Sequence, residues 1–243
     1  KRQIDVSVTV DWHEHSKLLK LRFPINVTQP QVTHDIPYGY FEQTPNGDEV
    51  PFQSWIDVSG QVGAATYGFS LLNDGKYSVD CNGSDIGLTV LRSPVYAHHI
   101  PAVIDPEGQY AYMDQGIQRF NYALLPHAGS WTTAGTVKRA AELNQGPVIM
   151  FATFHPDGRL PQSDSFIDVQ PDNIVVSVLK QSEDNDDLII RAYETINEAT
   201  TAWIRLPHQD RMIEAVFGPS EIKTFRVPSQ ANLPVVETDL LEF

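Results

Sequence analysis

Cysteine is almost missing from this chain. Cys81 is the only one in 243 residues, so no intrachain disulfide can form and no cysteine framework for a metal exists. Positive charge is scarce as well: 17 Lys and Arg stand against 31 Asp and Glu, a net charge of −14. Such a surface repels phosphate backbones and anionic lipid, which argues against nucleic acid and membranes as partners but leaves a neutral ligand such as a sugar open. No apolar run approaches the roughly 18 residues that a spanning helix needs. No serine nucleophile elbow, phosphate-binding loop, dinucleotide fingerprint or zinc-protease helix is present. The lack of disulfides fits a reducing, cytoplasmic setting. No secretory leader pattern precedes the first strand, and the chain begins on Lys1 with a strand pattern almost at once. It reads as cut from something longer.

What the chain has is the rhythm of short β-strands. Hydrophobic residues make up 41% and aromatics 10%, a globular composition. Ile4, Val6, Val8 and Val10 alternate with Asp5, Ser7 and Thr9, the period of a half-buried strand. Leu18 to Phe23 is a second strand, closed by Pro24. Short apolar stretches then recur between turn signals at Pro45–Asp48, Asn73–Gly75, Asn82–Gly83 and Pro106–Gly108. Further strands are predicted at Ile174–Lys180, Leu188–Tyr193, Ala202–Leu206 and Ile222–Val227. Only Ala134–Leu143 reads as a helix, with Thr133 as its cap and Gly146–Pro147 as its stop. The Pro-, Gly- and Ser-rich stretch His155–Ser165 is the expected domain boundary. The expectation is an all-β chain, one large sandwich over 1–160 and a small sandwich over 166–243, with one short helix.

Composition and spacing alone assign no chemistry. His13 and His15 would share a strand face, but a third metal ligand is not evident. His98 and His99 are adjacent and point to opposite sides of any strand. His127 reads as a hydrogen-bonded structural histidine. Glu42, Asp57, Asp74 and Asp80 lie beside strands and are conceivable members of a glycosidase carboxylate pair, although turn capping and surface solvation account for such residues in an acidic chain. Trp12, Tyr38, Tyr40, Trp55, Tyr77 and Trp131 have the rings to stack on sugars, and equally to fill a sandwich core.

Several longer stretches, taken in order, resemble the C-terminal half of glycoside hydrolase family 38, the α-mannosidases. They are Val10–Lys20 with Phe23–Pro24, Ile36–Gln43, Trp55–Ser59, Gly68–Tyr77, Leu91–Pro94, Phe120–His127 and Glu221–Phe225. The pattern is most similar to the bacterial and cytosolic branch. The resemblance implies a mutarotase-like large sandwich followed by a small one. It implies a parent that is a retaining glycosidase, with an aspartate nucleophile and a zinc ion that grips sugar hydroxyls. No segment here matches the nucleophile or zinc motifs, so the expectation is no catalytic residue, no metal ligand and no cofactor within this chain. Its partners would be an N-terminal catalytic domain, the α-mannoside substrate and, in some assemblies, further copies of itself.

Within the matching motifs, Asn73, Asp74 and Arg92 are the candidate residues for the rim of the substrate cleft, although Asn-Asp-Gly is also an ordinary turn. The expected role is scaffolding and completing that cleft. Two other readings are a stand-alone carbohydrate-binding or adaptor module, and an aldose epimerase pairing His98, His99 or His127 with Glu107. If part of the large sandwich lies outside the chain, an open edge or an uncovered apolar face is expected, with lowered stability and self-association.

Overall fold

The computed structural model describes residues 3–96, 103–159 and 161–242. Its first strands are those the alternation predicts. In β1 (Ile4–Trp12), Val6, Val8, Val10 and Trp12 turn inward while Asp5, Ser7, Thr9 and Asp11 are exposed. In β2 (Leu18–Pro24), Leu19, Leu21 and Phe23 pack inward. There follow β3 (Thr28–Ile36), β4 (Gly39–Gln43), β5 (Val50–Pro51), β6 (Trp55–Val62), β7 (Ala65–Asn73), β8 (Ser78–Asn82), β9 (Asp85–Arg92) and β10 (Gly116–Ala128). They form a six-stranded sheet in the order β1-β10-β7-β6-β3-β4 and a four-stranded sheet in the order β2-β9-β8-β5. Apolar side chains of both sheets interdigitate in one core that includes Ile56, Val58, Leu71, Val79, Cys81, Ile86 and Leu88, the arrangement of a β-sandwich.

Turn chemistry sets the register. Asn82 pairs with Asp85 across a two-residue loop in which Gly83 has φ +62°, a conformation that a residue without Cβ adopts freely. Strand β10 is long because it serves two partners: residues 116–124 pair with β1 and residues 122–128 pair with β7. Pro126, which has no N–H to give, lies beyond the last β1 pair, where the ladder asks for no donor on that side.

The single helix expected at Ala134–Leu143 is instead two short ones, α1 (Trp131–Ala134) and α2 (Thr136–Asn144). Gly135 stands between them at φ +69°, ending one and beginning the other. The capping position is therefore Gly135 and not Thr133, whose hydroxyl donates to the Ser130 carbonyl at 2.9 Å. Trp131 is buried and lies 4.8 Å, ring centroid to centroid, from buried Trp55.

The remaining strands are β11 (Asp168–Gln170), β12 (Ile174–Gln181), β13 (Leu188–Glu194), β14 (Thr200–Leu206), β15 (Arg211–Phe217), β16 (Ile222–Val227) and β17 (Val236–Thr238). Sheets β11-β14-β15 and β12-β13-β16-β17 close on a second core of Ile190, Ala192, Ala202, Ile204, Ile213, Phe217 and Phe225. By contacts the chain divides into Lys1–Ile36 with Phe41–Gly146, and Pro37–Tyr40 with Pro147–Phe243. No helix among the described residues is long and apolar enough to cross a membrane.

Cys81 reports on the first core. Its side chain is inaccessible, and burial, reinforced by the charges of Asp80 and Asp85, pushes the thiol up to about 12. The thiolate is the reactive form. A disulfide dye added at pH 8 is expected to leave the native protein unlabelled and to titrate one thiol per chain once denaturant unfolds the sandwich.

Candidate functional site

The densest polar cluster lies on the face of the six-stranded sheet that turns away from its core. Ile56 and Val58 point into the core, so Asp57 and Ser59 point the other way, the consequence of a period of two. Strand register then assembles the cluster. Asp57 pairs with Ser70 across β6 and β7, while Gly68 pairs with Ser59 on one side and His127 on the other. Helix α2 lies over this face, packed on β6, β7 and β10, and contributes Thr136.

All these side chains are buried, and Asp57 is their hub. Its Oδ1 accepts the Ser59 hydroxyl at 2.6 Å. Its Oδ2 accepts the Ser70 hydroxyl at 2.7 Å and His127 Nε2–H at 2.7 Å. Because Ser70 gives its proton to Asp57, its oxygen is free to accept the Thr136 hydroxyl, 2.7 Å away. Gly68 is required beneath the imidazole: a Cβ there would stand 2.1 Å from His127 Cε1 and 2.5 Å from Ser59 Oγ.

Serine, histidine and aspartate in contact invite comparison with a nucleophilic triad, and the geometry rejects it. A triad sets the carboxylate on one ring nitrogen and the serine on the other. Here both Asp57 and Ser70 face Nε2, with Ser70 Oγ at 3.3 Å, and Nδ1 is buried without a protein partner. Ser70 is also fully inaccessible. The cluster pins α2 to the sheet.

A second constellation crosses the outer face of the four-stranded sheet. Lys20 bridges Glu49 and Asp80, while Arg22 reaches Asp80 at 2.6 Å and Asp85 at 2.8 Å. Burial alone would push the Glu49 carboxyl up. Hydrogen bonds from Lys20, Ser78 and Thr89, with the Lys20 charge, outweigh it and hold Glu49 below its ordinary value of 4.5.

The rim candidates fall in two places. Asn73 is fully buried at the end of β7, where its Nδ2 donates to the Gln53 carbonyl at 2.7 Å and its Oδ1 accepts the Gly75 N–H at 2.9 Å. Asp74, beside it, accepts the Asn121 backbone and side-chain N–H groups at 2.8 and 2.7 Å. Arg92 ends β9 in the other sheet, with its side chain exposed. The structure thus brings Asn73 and Asp74 together in one turn and sets Arg92 apart, with Asn73 and Asp74 engaged by backbone.

Other candidates resolve simply. Among the described residues no three His, Cys, Asp or Glu converge as a metal site would require. His13 lies past the end of β1 and pairs with Asp11, and His15 stacks on Tyr112. His98 and His99 lie outside the described residues. The carboxylate partner of His127 is Asp57 and not Glu107, which is exposed in a turn. The roles of Ser70 and Thr136 carried no signal in the sequence. Polar residues alternating with apolar ones describe a helix-covered face and a solvated one equally well.

Fold and geometry together define a pair of antiparallel sandwich modules in which the polar clusters brace structure. Two family models match: the glycosyl hydrolases family 38 C-terminal domain over residues 1–103, and the glycosyl hydrolases family 38 C-terminal beta sandwich domain over residues 173–242. The chain belongs to glycoside hydrolase family 38, as part of its C-terminal β region. It is 30% identical over 204 residues to Alpha-mannosidase 2C1 of Homo sapiens, covering 81% of this chain and 18% of that protein. It is 25% identical over 234 residues to Alpha-mannosidase of Saccharomyces cerevisiae, covering 88% of this chain and 20% of that one. The chain thus spans about a fifth of the length of these relatives. The crystal structure of an alpha-mannosidase from Enterococcus faecalis superposes with a TM-score of 0.77 at 17% identity, covering 94% of this chain and 28% of that one, and shares the fold.

Two measurements check these networks. Asp57→Ala leaves two hydroxyls and a buried imidazole without their acceptor, and is expected to cost about 3–5 kcal/mol in urea unfolding, against less than about 0.5 kcal/mol for Glu42→Ala at an exposed position. A carboxylate held below its ordinary value stabilises the fold above that value, and the contribution disappears as pH falls through the lowered one. Glu49→Gln is therefore expected to be less stable than the unsubstituted chain at pH 7, with the gap closing below pH 4.5. A gap that stays constant to pH 3 would assign the loss to packing.

Proposed function

We propose that this chain is the C-terminal β portion of a retaining, zinc-dependent α-mannosidase, in which it scaffolds the catalytic part and helps complete the substrate cleft. One observation carries the reading. The curated relatives that align over 81–88% of the chain are each named an α-mannosidase, yet the chain accounts for only 18–20% of each. The nucleophile, the acid/base carboxylate and the zinc ligands then belong to the remaining four-fifths. The geometry agrees with a supporting role. Asp57 and His127, the carboxylate–histidine pair on the six-stranded sheet, are buried beneath α2 and bonded to each other. Of the rim candidates, Arg92 is the one with an exposed side chain, able to reach a substrate hydroxyl. Asn73 and Asp74 would act by shaping the turn. A cytoplasmic setting is part of the proposal and rests on the likeness to the cytosolic branch.

The test compares the 243-residue chain with the full-length protein on an aryl α-mannoside. The full-length enzyme is expected to turn over and to lose activity on chelation, while the chain alone neither turns over nor binds mannose. Arg92→Ala in the full-length enzyme should raise KM several-fold at unchanged Tm. Chelator-sensitive cleavage by the chain alone would end the proposal, and saturable mannose binding by it would favour a carbohydrate-binding module.

A further inference from the structure

One segment of the chain is built for an interior that the described residues do not supply. After α2 the backbone runs through Gly146 and Pro147 into Val148-Ile149-Met150-Phe151-Ala152-Thr153-Phe154, with no regular secondary structure. Every residue from 144 to 159 is exposed: Val148 by 89%, Ile149 by 77%, Met150 by 84%, Phe151 by 100% and Phe154 by 88%. Isolated apolar residues at a surface need no explanation, but a contiguous run does. Composition sharpens the contrast. In a chain carrying 48 acidic and basic residues, positions 145–154 hold none.

The order of the residues says what kind of cover is missing. In extended backbone, successive side chains point to opposite sides. Val148 and Met150 would lie on one side, Ile149 and Phe151 on the other, and both sides are apolar. A strand resting on a flat surface alternates apolar with polar; one apolar on both sides is enclosed on both. The cover must therefore be a cleft or a sheet that surrounds the segment.

Resting on the reading of the chain as one part of a longer enzyme, we infer that residues 148–154 insert as a strap into an apolar cleft of the catalytic portion. Two observations favour that occupant. Relatives are about five times as long as this chain, which leaves ample polypeptide to form a cleft. A second copy is disfavoured by charge, since each would bring a net −14 to the contact, and any association between isolated chains should be weak and promoted by salt.

Hydrogen exchange on the full-length protein tests this, with the exposed acidic turn 183–186 of the same molecule as internal standard. The strap's amides are expected to exchange on the order of a hundredfold more slowly than those of the turn. Phe151→Asp is expected to release that protection, together with protection of a segment outside these 243 residues, while β13 and β16 stay protected. Exchange of the strap as fast as the turn overturns the inference. So does protection that vanishes on dilution, which would report contact between copies. Activity of the same preparation on an α-mannoside is read separately. An active enzyme with an unprotected strap removes the strap alone, whereas a protected strap in a protein without that activity removes the proposed function and leaves the insertion standing.

Discussion

A carboxylate taken out of water must be met on every side by donors, and Asp57 is where the first sandwich satisfies that condition. Desolvating an ion costs several kcal/mol unless hydrogen bonds replace its hydration. Ser59, Ser70 and His127 supply the replacements, each from a position that the antiparallel register fixes. Thr136 then joins the network from α2, so polar chemistry ties the helix to the sheet. Gly68 follows from the same requirement, since any side chain there would drive the imidazole off the carboxylate.

The second sandwich meets the condition in its own way. Glu194, fully buried at the end of β13, accepts the backbone N–H groups of Ile196, Glu198 and Ser220 and the side-chain amide of Asn173. Asp35 does the same for the loop before β6, gathering the N–H groups of Gln53, Ser54 and Trp55. In each case an acidic side chain orders a turn by accepting from its backbone, with hydrogen bonds to a charged group worth more than neutral ones. Part of the chain's acidity is thus internal structure, and only the rest is surface charge.

Strands were the legible part of the sequence, because period-two alternation needs only neighbours along the chain. β1, β12, β13 and β16 lie where Ile4–Val10, Ile174–Lys180, Leu188–Tyr193 and Ile222–Val227 predicted them, to within a residue or two at their ends. The helix was legible in place but not in form, since Gly135 looks tolerable inside a helix until its left-handed backbone is seen. The cluster was half visible. Asp57 and His127 each stood out as residues, but their partnership spans 70 positions and depends on β7 lying between them. Asn73 shows the reverse limit: a polar residue in a turn motif proved inaccessible, with its amide committed to backbone. The family likeness was legible because it rests on runs of identity in order, which need no geometry.

The double pairing of β10 constrains how the protein can be made. Within this chain β1 is made well before its hydrogen-bonding partner, which lies at residues 116–124. At about 5–20 residues per second of synthesis, β1 waits roughly 5–25 s for that partner. During that wait its inward valines have nothing of this sheet's own to cover them, since β10 also supplies the link from β1 to β7. The sheet can close only when its last strand arrives, so nascent-chain handling by chaperones would matter most while residues 13–115 are being added.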